Sequence, residues 1–121
     1  MVRLTIRIDL DTGSFGPGKV RLLEQIAATG SIRKAAGAMK MSYRRAWLLL
    51  QALEESFGAP LVETATGGKQ GGGAMLSKLG RAVVAGYRRI EERAGHAAKA
   101  DLRDMERFQR RSVKSSRKAI S

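Results

Sequence analysis

The side chains in this sequence that could do chemistry are cationic hydrogen-bond donors. Arg44 and Arg45 follow Ser42 and Tyr43 at the head of a helical stretch, and Lys69 sits in a glycine-rich segment. Arg110, Arg111, Lys114, Arg117 and Lys118 form an acid-free run near the end. Guanidinium groups so placed suit phosphate oxygens and the acceptor edge of guanine, which an arginine meets with two parallel N–H donors. Catalysis has no comparable support. With no cysteine there is no thiol chemistry and no disulfide, and one histidine, His96, leaves no metal cluster and no catalytic pair. No nucleophile, base and orienting group converge by any spacing, so no enzyme and no cofactor are expected.

The charge balance points the same way. Twenty-three Lys and Arg against 11 Asp and Glu give a net charge of +12 over 121 residues, with 43% hydrophobic residues. That length fits one domain with an appendage. The sign fits a polyanionic partner, with nucleic acid ahead of membrane. No run of about 18 apolar residues exists to span a bilayer. The first residues alternate apolar with polar and include an acid, unlike a signal peptide. A cytoplasmic, nucleoid-associated location is expected.

The arginines need elements to aim them. In Ser31 to Phe57, Ile32, Ala35, Ala36 and Met39 recur at i, i+3, i+4 and i+7, the spacing of a buried helical face. Ser31 can cap that helix, and its alanines with Gly37 allow a second helix to approach closely. Ser42 caps the second helix, whose inward stripe is Ala46, Leu49, Leu50, Leu53 and Phe57. At about 100° per residue, Arg44, Leu48, Gln51 and Glu55 face away from the stripe, with Arg45 and Trp47 on its flanks. Two such helices fit a helix-turn-helix, whose second member enters the major groove.

Around this centre the chain reads simply. Val2, Leu4, Ile6 and Ile8 alternate with polar residues as in a half-buried strand, and Phe15 anchors a short returning strand after a turn-rich segment. Pro17 or Gly18 opens a helix that ends before Gly30. Past Phe57, Gly58-Ala59-Pro60 breaks the helix, and Leu61 to Thr64 and Ala74 to Leu76 read as paired strands. Between them lie five glycines in the seven residues from Gly67 to Gly73. A P-loop is excluded because Gln70 follows Lys69 and Glu63 stands five before Gly68; a dinucleotide loop fails at Leu76. The segment fits a wing. From Ser77 to about Phe108 runs a long helical pattern, as a single helix on the order of 48 Å at 1.5 Å per residue, in which Gly86 and Gly95 imply either close helix approach or a break near Gly95. It outruns its own domain, which implies a partner chain, and a homodimer is the economical form. Residues 109–121 are expected to form a disordered basic tail.

The residues Gly30-Ser31-Ile32, Ser42-Tyr43-Arg44-Arg45-Ala46-Trp47, Leu61-Val62-Glu63 and Ala65-Thr66-Gly67-Gly68-Lys69 with Gly71-Gly72-Gly73-Ala74 resemble the N-terminal DNA-binding domain of the ModE family, the molybdate-responsive transcription regulators of bacteria. A LysR-type pattern is also present in Ala35-Ala36, Leu53-Glu54-Glu55, Gly58-Ala59-Pro60-Leu61 and Leu76-Ser77-Lys78-Leu79-Gly80-Arg81. The resemblance spans roughly Leu4 to Glu92. It implies a groove-reading turn at Ser42 to Arg45, a wing at Thr66 to Gly73 and a dimerising helix after it. DNA contacts are thereby assigned to Ser31, Arg33, Ser42, Tyr43, Arg44, Arg45, Leu48, Thr66, Gly67 and Lys69. Two departures stand out. Family members carry C-terminal oxyanion-binding modules, and nothing after Phe108 could form one, so no tight oxyanion or small-molecule site is expected here. Thr64 stands where related sequences often carry a basic residue.

The expected fold is mainly α with small β (α+β), a winged helix-turn-helix with a long C-terminal dimerisation helix. Its parts are residues 1–76, 77–108 and 109–121. The expected function is that of a transcription regulator binding double-stranded DNA as a homodimer. A nonspecific architectural DNA binder and an interaction subunit docking through the long helix are the alternatives.

Overall fold

Pro17, which has no amide to lose and a φ already suited to a first helical turn, opens α1 (Pro17–Thr29). Val20, Leu22, Leu23 and Ile26 form its buried face. Gly30 ends it in the left-handed conformation (φ 71°), returning its amide to the Ile26 carbonyl. Two short helices follow, α2 (Ile32–Ala38) and α3 (Tyr43–Phe57). Gly58, at φ 69°, closes α3 as Gly30 closes α1. The computed structural model describes residues 2–65 and 73–120, and side chains as far as residue 109.

Two antiparallel hairpins complete the unit Ile6–Arg88. β1 (Ile8–Leu10) pairs with β2 (Gly13–Phe15), and β3 (Val62–Ala65) with β4 (Gly73–Leu76) in the register Val62 opposite Leu76. The first strand is shorter and later than the alternation from Val2 predicts. A strand exists only where it has a partner, and β2 is confined to three residues between the turn and Pro17. The alternation does report burial: Ile6 and Ile8 pack on the core.

That core is one cluster drawn from both hairpins and α1 to α3, together with Val83 and Tyr87 from α4 (Lys78–Ala97). Leu22, Leu23, Leu50 and Leu53 are at most 1% exposed, and burying such a side chain contributes about 1.5–3 kcal/mol. Tyr87 is as deeply buried, and its hydroxyl donates to the Ile6 carbonyl at 2.8 Å. Its ring lies 5.8 Å from that of Phe15, which in turn lies 5.4 Å from Phe57. Beside it Arg88 pairs with Glu24 of α1, Nε to Oε2 at 2.9 Å. Donation by Arg88, with the charges of Arg88 and Arg21, holds the Glu24 carboxyl below its ordinary range against the opposing effect of partial burial.

Met1–Thr5 and Arg89–Ser121 form a second unit. Of the two readings of the long helical pattern from Ser77 to Phe108, the structure has the break near Gly95, with two helices, α4 and α5 (Lys99–Ile120). The interruption is one residue, Ala98, three beyond Gly95, a residue that weakens helices. The ladder spans the break, since the Ala98 amide reaches the Ala94 carbonyl and the Leu102 amide the Ala98 carbonyl, both at 2.9 Å. Helical backbone continues through residues 109–120, where a disordered tail is expected from the sequence. Charge suggested disorder there, yet the stretch has no glycine or proline to end a helix. Among the described residues no helix is long and apolar enough to cross a membrane.

Candidate nucleic-acid interface

The helix-turn-helix is assembled by its caps. Ser31 Oγ accepts from the Lys34 amide and Ser42 Oγ from the Arg45 amide, each at 3.1 Å. Each cap satisfies one amide that a helix start leaves without a partner. Both hydroxyls are therefore acceptors within the fold and keep an O–H to donate outward. Between the helices the chain turns on Lys40, whose φ of 56° is left-handed without being glycine. The Met41 amide closes this turn on the Ala36 carbonyl at 3.0 Å. Ala35 and Ala46 are fully buried, so small side chains bring α2 and α3 together, whereas Gly37, expected to share in that approach, is exposed with nothing within 4 Å of where its Cβ would lie.

This packing leaves the outer face of α3 in solvent. Arg44, Arg45, Gln51 and Glu55 are exposed, and Leu48 is 54% exposed in the middle of the same face. Tyr43 is 38% exposed at the first position of the helix. Its ring meets Trp47 edge-on at 6.1 Å, and the Arg33 guanidinium of α2 lies over it, 4.2 Å from the centroid. Trp47 itself is half-buried against the core. The structure thus gathers Arg33, Ser42, Tyr43, Arg44 and Arg45 around the start of α3, with Ser31 half-buried at the start of α2 and Leu48 one turn further along α3.

The electrostatics of this region are one-sided. Arg33, Lys34, Lys40, Arg44 and Arg45 are all exposed, and none forms an ion pair among the described residues. The two acids of the same helices, Glu54 and Glu55, stand at the far end of α3. Glu54 is committed to the fold, accepting from the amides of Leu61 at 2.7 Å and Val62 at 3.3 Å. Five unneutralised cations beside a helix N-terminus attract an anion and impose a direction on it. Sequence reasoning did not single out Lys34 and Lys40, although both adjoin residues already assigned to caps and turn. It could not have found the Arg33–Tyr43 stack, which joins residues ten positions apart on different helices.

The wing hairpin is fixed at its base. Glu54 holds the start of β3, and the Ala74 amide of β4 donates to the Gly30 carbonyl at 2.9 Å, at the junction of α1 and α2. The base of the wing is therefore tied to α3 on one side and to the approach to α2 on the other. The wing residues Thr66, Gly67 and Lys69 lie outside the described residues. Among the described residues no group of His, Cys, Asp or Glu is placed to hold a metal ion.

Comparison with known proteins matches this geometry. Residues 18–81 match the family described as bacterial regulatory helix-turn-helix protein, lysR family. The chain is 39% identical over 92 residues to the molybdenum transport protein ModE of Azotobacter vinelandii, a match covering 74% of this chain and 34% of that protein. It is 39% identical over 71 residues to the DNA-binding transcriptional dual regulator ModE of Escherichia coli K12, covering 59% and 27% respectively. The chain thus spans about a third of the length of such relatives. Among solved structures it superimposes on the DNA-binding domain of CbnR in complex with DNA, with a TM-score of 0.53 and 26% identity over 69% of this chain and 91% of that one. The family is one of transcription regulators, not enzymes. This chain belongs to the LysR family of bacterial regulatory helix-turn-helix proteins, and its winged helix-turn-helix is a DNA-binding domain related to the N-terminal part of ModE.

Proposed function

We propose that this chain binds double-stranded DNA as a homodimer and regulates transcription, with the outer face of α3 in the major groove. The observation that carries the reading is the exposed, unneutralised pair Arg44 and Arg45 in the first turn of α3. Arg44 points away from the helix packing and can reach guanine acceptors; Arg45, on the flank, suits a base edge or a phosphate. Ser42 and Tyr43 would donate to phosphates, Leu48 would meet an apolar base edge, and Lys69 would extend the contact into the flanking groove. Dimer formation is supported by Ile90, Met105 and Phe108, large apolar side chains 45%, 52% and 52% exposed along α4 and α5. The reading assigns DNA recognition, and no oxyanion sensing, to these 121 residues.

Two measurements test it. Duplexes enriched from a randomised pool by the full chain should bind Arg44→Ala with a reduced preference over random duplex, since a bidentate guanine contact is worth about 1–3 kcal/mol of discrimination. Sedimentation without DNA should give twice the mass of the chain, 13.1 kDa. A clean monomer at micromolar concentration would refute the dimer. The net charge of +12 also favours a nonspecific architectural binder, and that second reading requires unrelated duplex to compete as well as the enriched one.

A further inference from the structure

We infer that Arg33, from the first helix of the helix-turn-helix, binds a DNA phosphodiester, and that Tyr43 is a positioning residue that aims its guanidinium. The inference rests on the proposed DNA-binding role and adds to it a residue-level division of labour. Arg33 sits over Tyr43, its guanidinium carbon 4.2 Å from the ring centroid. Stacking engages the face of the guanidinium and leaves its N–H edges for another partner. Among the described residues no carboxylate or carbonyl takes those edges. Arg88 makes the informative contrast: it too approaches a tyrosine, Tyr87, at 5.7 Å, but its N–H groups are engaged by Glu24 and join α1 to α4. A stacked arginine with an acid beside it is a brace. One without an acid, on an exposed cationic surface, has a free fork.

The support beneath Arg33 is continuous. Trp47 packs on the core, its ring meets Tyr43 at 88°, and Tyr43 carries Arg33. An exposed arginine ordinarily samples many rotamers, so holding one in place lowers the entropy lost when it binds. The ligand class follows from the fork: a planar set of N–H donors matches two oxygens of one phosphate. Arg33 lies at the same end of the motif as Arg44, so a phosphate held there would fix the register in which Arg44 meets the bases.

The test uses the full chain with two duplexes, one enriched from a randomised pool and one random of equal length, over a salt series. Arg33→Ala should weaken both duplexes by the same factor and lower the salt slope by about one. Arg33→Lys should restore the slope without restoring the affinity, because an ammonium has no fork. Tyr43→Leu removes the hydroxyl in either background and should weaken binding about threefold more when Arg33 is present than in Arg33→Ala, the coupling expected of an exposed cation–π pair. Tyr43→Phe should keep that coupling, whatever its lost hydroxyl costs. Both side chains are exposed, and unchanged thermal unfolding of each variant confirms an intact fold. Equal losses from Tyr43→Leu in both backgrounds would overturn the positioning role. A change in the enriched-to-random ratio on Arg33→Ala would assign Arg33 to a base and overturn the phosphate site. Failure of the unaltered chain to bind either duplex would refute the DNA-binding reading itself, a separate result.

Discussion

Replacing Gly80 by alanine should unfold this domain more easily, although alanine is the better helix former. Gly80 is buried in the first turn of α4, against the backbone that leads into β3. A Cβ there would lie 2.2 Å from the Leu61 carbonyl oxygen and 3.1 Å from its carbon. Carbon and oxygen settle at about 3.3 Å or beyond, so the two segments must separate by about 1 Å. Nothing flexible can yield. Leu61 is fully buried, its carbonyl accepts from the Ser77 amide at 2.9 Å, and its amide donates to Glu54. Overpacking of this kind costs about 1–3 kcal/mol, a weakened hydrogen bond about 1 more, and helix propensity returns about 1. The net loss is about 2 kcal/mol, or about 8–16 °C in Tm for a domain of this size. Gly37→Ala is the matched control: it makes the same chemical change in α2, with nothing within 4 Å of the added carbon, and should stabilise by up to about 1 kcal/mol. Thermal and urea unfolding followed by circular dichroism read both. If Gly80→Ala melts at or above the unaltered chain, the close approach of α4 to Leu61 is wrong, and with it the account of how the wing base is held.

Two further outcomes follow from single residues. Lys40→Gly should raise the urea midpoint, because a non-glycine residue in the left-handed region costs about 1–2 kcal/mol; a midpoint below that of the unaltered chain would refute strain in the turn. Glu24 has a lowered pKa in the folded state, so it contributes stability above its unfolded pKa that is lost as pH falls through the folded value. The stability difference between the unaltered chain and Glu24→Gln should thus be present at pH 7 and shrink in acid, and it should be small because both side chains are over a third exposed. A difference that stays constant from neutral pH into acid would remove the ion pair from the account.

The parts of the fold most legible in the sequence were those set by local chemistry. Ser31 and Ser42 are caps, and Gly30 ends its helix in the left-handed region, because each role depends on one residue and its immediate neighbours. The stripe Ala46, Leu50 and Leu53 is buried because a helix of fixed pitch with one core leaves no other choice. Errors arose where a partner decides the outcome. The strand foreseen from Val2 starts only at Ile8, since its length is set by the three residues of β2. The division of the long helix falls at Ala98, a one-residue interruption that the spacing of apolar residues does not register. For the same reason Arg33 and Tyr43 were both named as candidates while their stack was not.

Net charge says that this chain attracts anions; the placement of acids says where. Across α2, the turn and α3 the five cations occupy the stretch from Arg33 to Arg45, and the acids come last, at Glu54 and Glu55. Glu54 stands on the order of 13 Å along α3 from Arg45, and its carboxylate accepts from the amides of Leu61 and Val62, which ties the wing base to α3. A salt bridge to Arg44 or Arg45 would have stabilised the isolated protein slightly while hiding the donors a groove requires. The arginines at the start of α3 are unpaired because the acids of that helix lie at its far end, and that order in the sequence sets the direction of positive charge along α3.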